Sequence, residues 1–97
     1  MSMITLEQRT CREINRDLAR RLARLRKRKK ISQKELALRS GVSFGSVKRF
    51  EQTGDISLLS LTKIAIALQV EDEMDSLFTS VPYASIEEVI REQNLYT

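Results

Sequence analysis

Apolar residues recur at helical spacing in successive short blocks, and polar caps separate the blocks. Ile14, Leu18, Leu22 and Leu25 mark one face of a first helix that runs to about Lys29. Thr5-x-x-Gln8 and Thr10-x-x-Glu13 both offer capping boxes for its start. Leu18, Leu22 and Leu25 are expected to pack on the next two helices, with Leu6 and Ile14 lying beyond the core. Ser32, followed by Gln33, Lys34 and Glu35, predicts the start of a second helix that turns Leu36 and Ala37 inward. The small Ala37 lets another helix cross closely, and Gly41 supplies the positive φ that ends the segment. Val42 fills the elbow and Ser43 caps a third helix, in which Val47 and Phe50 share the buried face. Phe44, Gly45, Ser46, Lys48 and Arg49 are left on or beside the opposite face.

A polar connection from Gln52 to Ile56 contains Gly54. Ser57 then caps a fourth helix with Leu58, Leu61, Ile64, Ala65 and Leu68 on one side. A short fifth helix over 71–78 carries Met74, Leu77 and Phe78 as core plugs, and Pro82 ends that unit. Ser85-x-x-Glu88 begins a last helix whose Ile86, Val89 and Ile90 need cover from their own domain, a second copy or another protein. The pattern is all-α.

Charge changes this picture more than length does. Fifteen of the 17 lysines and arginines fall in residues 1–50 with four carboxylates, whereas residues 51–97 hold two and nine. A net charge of +4 is modest, but this segregation builds a positive face able to displace counterions from phosphates. The run from Arg26 to Lys30 suits a helix C-terminus and also offers phosphate contacts, while Arg9, Arg12 and Arg16 read as solvated surface.

At 97 residues the chain is long enough for one helical core. It contains no histidine and one cysteine, Cys11, so neither a zinc site nor a Cys/His pair can be assembled, and no cofactor is expected. Glu71, Asp72, Glu73 and Asp75 lack the spacing of a calcium loop. These features argue against an enzyme. A lone cysteine and the absence of a membrane-length apolar run point to a cytoplasmic protein that does not enter membranes.

Gln33, Leu36, Ala37, Gly41, Val42, Val47, Phe50 and Glu51 stand where the Xre/Cro/phage-repressor-like helix-turn-helix family keeps its characteristic residues. The resemblance extends over about residues 15–78. It implies a lambda-repressor-like five-helix DNA-binding domain over 15–79, with residues 1–14 extending the first helix and 80–97 forming an added C-terminal helix. An ordinary helical hairpin would share the periodicity and the glycine turn, but not this set of agreements or the charge.

The resemblance further implies that Gln33, the amide end of helix two and Ser43 grip phosphate, while residues 44–49 enter the major groove of double-stranded DNA. Lys34, Arg28 and Lys30 join them as basic contacts. Arg49 is the candidate for a paired hydrogen bond to guanine, Lys48 for guanine or phosphate, and Ser46 for a small polar contact. Phe44 and Gly45 depart from the amide or hydroxyl residues of relatives. Phe44 either meets a thymine methyl or folds into the core, and Gly45 permits close backbone approach with more reading of DNA shape.

Readers of this type commonly work as homodimers on inverted repeats. The segment from Arg49 to Phe78 is also similar to small HipB-like antitoxins, partners of HipA-type kinase toxins, and the acidic second half would offer such a partner a surface. An autorepressing antitoxin, a stand-alone phage or defence-island repressor, and an adaptor that has lost DNA binding remain three distinct roles for one fold.

Overall fold

The computed structural model describes residues 9–80 and 86–95, and among these it contains six helices and no strand. They are α1 (Cys11–Arg28), α2 (Gln33–Ser40), α3 (Phe44–Thr53), α4 (Leu58–Ala67), α5 (Glu71–Asp75) and α6 (Ile86–Leu95). Thr5, Leu6, Gln8, Pro82 and Ser85 lie outside the described residues, as do the side chains of Ile86, Glu88 and Val89. No described helix is long and apolar enough to cross a membrane.

Local chemistry sets most helix starts. Thr10 opens α1 with a complete capping box: its hydroxyl accepts from the Glu13 amide at 3.1 Å, and the Glu13 carboxylate accepts from the Thr10 amide at 2.8 Å. Ser32, Ser43 and Ser57 cap α2, α3 and α4 by accepting from the Glu35, Ser46 and Ser60 amides. At Ser32 only the hydroxyl arm forms, because Glu35 accepts from Arg39 Nε one turn on. Gly41 ends α2 at φ 73°, and Gly54 ends α3 at φ 86°.

Helix α3 is the hub, packing against both α1 and α2, while α2 also packs on α4 and α4 on α5. Val47 and Phe50 sit at the centre of a core completed by Ala19, Ile31, Leu36, Val42, Ile64 and Leu68. Gly54 belongs to this packing rather than to a loose connection. A Cβ there would fall 2.7 Å from the Asn15 carbonyl carbon and 2.9 Å from the Arg16 nitrogen, so α3 ends directly on the α1 backbone.

Several apolar assignments change once faces meet. Leu18, Leu22 and Leu25 do not form the α1 contact with α2 and α3; they line a groove with Leu61, Ala65, Val70, Met74 and Leu77. Ala19, on the adjoining face, is the α1 residue fully buried in the core around α3. Leu58 is 70% exposed rather than core, since it occupies the first turn of α4, ahead of the part that meets α2. Phe78 is no core plug: it follows α5 at φ 65° and is 88% exposed. Leu77 is half exposed, and only Met74 of that trio is partly buried.

Candidate nucleic-acid interface

The sequence from Ser32 to Thr53 folds as two helices about a left-handed glycine, and the second exposes Phe44, Gly45, Ser46, Lys48 and Arg49 while burying Val47 and Phe50. This division follows from helical period alone: positions 47 and 50 lie on one face, and the others flank or oppose it.

Two contacts join the start of α2 to α3. The Lys34 ammonium stands 5.7 Å from the centre of the Phe44 ring, and the Gln33 amide donates to the Glu51 carboxylate at 2.9 Å. Phe44 therefore takes neither course open to it from sequence: it is 40% exposed, with a cation over its ring rather than a place in the core. Gln33 keeps its second amide hydrogen for another acceptor. The Ser43 hydroxyl accepts from the Ser46 amide and donates to the Ser46 hydroxyl at 2.8 Å, which places both serines at the positive end of α3.

Beneath these residues lies an ion pair on which their placement depends. Arg26, the only buried charged residue among the described ones, donates to both Glu51 oxygens at 2.7 and 3.0 Å and to the Ile31 carbonyl at 2.7 Å. The phosphate contacts expected of the Arg26–Lys30 run accordingly lose Arg26, whose guanidinium is consumed inside the fold. Burial pushes the Glu51 carboxyl up, but hydrogen bonds from Arg26 and Gln33 and the Arg26 charge together hold it below its ordinary value.

Lys30 is exposed in the turn between α1 and α2, at φ 59°. Arg28 is placed differently from the other candidates, lining the groove among α1, α4 and α5, to which neither α2 nor α3 contributes. Arg49 is 70% exposed by side chain and pairs with Asp55 at 3.2 Å. Asp55, Ser57 and Ser60 border the same depression as Ser46 and Arg49. Sequence reading treated Ser57 only as a cap and did not single out Asp55 or Ser60; the short step from the end of α3 to the cap of α4 was the available signal.

The profile of the helix-turn-helix family matches residues 22–73, from the middle of α1 through the first turn of α5. Comparison with curated proteins and with solved structures returns no match. With more than half of its length matched, a left-handed glycine between α2 and α3 and the outward face of α3 free, the chain belongs to the helix-turn-helix family of DNA-binding regulators, of the Xre/Cro/lambda-repressor-like kind.

Proposed function

We propose that the protein is a sequence-specific repressor that binds an inverted-repeat operator as a homodimer, with α3 in the major groove. The observation that carries this reading is the exposed row Ser46, Lys48 and Arg49 on a helix clamped from beneath by Val47, Phe50 and the Arg26–Glu51 pair. Gln33, Lys34, Ser43 and Lys30 serve phosphates around it. Phe44 offers its ring edge to a thymine methyl while Lys34, held over the ring, reaches the backbone. Gly45 has open space around it, which favours close approach of backbone to DNA.

Selection of binding sites from random duplex DNA tests this. The expected product is a palindromic site with half-site centres roughly 34 Å apart, about one helical turn. Enrichment of a lone half-site contradicts the dimer, and no enrichment contradicts sequence reading.

A second, narrower role rests on the exposed carboxylates Glu71, Asp72, Glu73 and Asp75 of α5, which lie outside the α2–α3 unit. They would let the protein hold a HipA-type kinase toxin while bound to its own operator, as an antitoxin does. Copurification of a kinase-like protein encoded in the adjoining frame supports that role; a protein that represses without any such neighbour is a stand-alone repressor.

A further inference from the structure

Helices α1 and α4 do not pack closely, and the gap between them, closed at one end by α5, is an open apolar groove of about 410 Å³. Leu18, Leu22 and Leu25 form one wall, and Leu61, Met74 and Leu77 lie across from them. One rim is basic: Arg21, Arg24 and Arg28 follow at i, i+3 and i+7 along α1, and none pairs with a carboxylate among the described residues. Glu73 is the acidic residue of the lining. Nothing in the groove belongs to α2 or α3, so filling it leaves the reading helix free.

Helix α6 carries the complementary pattern. It belongs to none of the closely packed helix pairs, and Ile90 is half exposed. Its register places Ile86, Val89 and Ile90 on one stripe, with Glu88 and Glu92 along one flank and Arg91 towards the other. The helix thus brings three carboxylates and one arginine to a groove that brings three arginines and one carboxylate.

We infer that α6 of a second copy docks in this groove, Glu88 and Glu92 against the arginine rim, with the exchange made reciprocally about a twofold axis. This rests on the dimeric reading above and specifies its interface. A helix laid by its apolar stripe into a groove and steered by flanking charge is a common recognition mode, and reciprocal exchange closes the assembly at two copies.

Sedimentation equilibrium of the full chain tests the inference with two charge-reversed proteins, Glu88→Arg/Glu92→Arg and Arg21→Glu/Arg24→Glu. The wild type is expected to be dimeric, and each variant alone to dissociate at a concentration at least about tenfold higher, since like charges then face each other. Mixing the two variants restores the dimer, because the reversed helix then meets the reversed groove and the native helix the native groove. A chain carrying all four changes is also dimeric, which controls for folding. Failure of the mixture to recover while the four-change chain does assigns α6 to the groove of its own chain and overturns the proposal. Dimers indifferent to both reversals overturn it while leaving the operator reading intact, as does a monomeric wild type that still selects a half-site.

Discussion

Arg49 and Asp55 show how a reading residue is held before it meets DNA. Their pair is exposed, so it contributes at most about 1 kcal/mol, and Asp55 must release the guanidinium for Arg49 to address a base. Arg49→Ala is expected to cost about 1 to 3 kcal/mol at the selected site and to relax preference at one base pair. Equal weakening on all sequences would make it a phosphate contact. Asp55→Asn should tighten binding, by up to about fivefold, through loss of the competing carboxylate; weaker binding would mean that Asp55 positions the arginine. The two left-handed glycines differ in a measurable way. Gly41 has open space where a Cβ would go, so Gly41→Ala should cost only backbone strain, about 1 kcal/mol. Gly54 adds a collision with the α1 backbone, and Gly54→Ala should cost about 3 kcal/mol in urea unfolding. Equal losses would show that α1 gives way.

Among elements, the junction of α1, α2 and α3 is polar at its most consequential point. Arg26 from α1 and Gln33 from α2 converge on Glu51 of α3, with Arg26 and Glu51 side chains only 9% and 10% exposed. A desolvated pair like this adds little net stability but costs heavily when broken, because the survivor is left charged and unpartnered. Arg26→Met should therefore lose about 3 to 5 kcal/mol, and Arg26→Met/Glu51→Leu much less; a double variant as unstable as the single would refute that account. The Glu51 carboxyl also has a defined pH signature. Its folded pKa is depressed, so its stabilisation is complete above the ordinary value of 4.5 and is lost as pH falls through the lower folded value. Unfolding measured across that acid range should decline for the wild type, and this component should vanish in Glu51→Gln.

Taken whole, the molecule separates its charges along the chain and in space. The basic residues of α1 to α3 surround a reading helix, while α5 and α6 carry most of the carboxylates of the second half. If six to ten phosphates are engaged by a dimer, affinity should fall by about a thousandfold or more between roughly 50 and 200 mM salt. A flat response would fit a protein-binding adaptor and not a DNA reader.

Helix starts at Thr10, Ser32, Ser43 and Ser57, the bend at Gly41 and the buried pair Val47 and Phe50 were all legible in the residues, because caps, turns and helical faces are set within about four positions of the chain. The eight-residue family pattern was legible for the same reason. Burial of Arg26, tethering of Gln33 to Glu51, the landing of Gly54 on α1 and the exposure of Leu58 and Phe78 depend on contacts between distant segments. Periodicity says that a face is apolar; which neighbour covers it, or whether it is left as an open groove like that of Leu18 and Leu25, follows from how close the helices come when they cross.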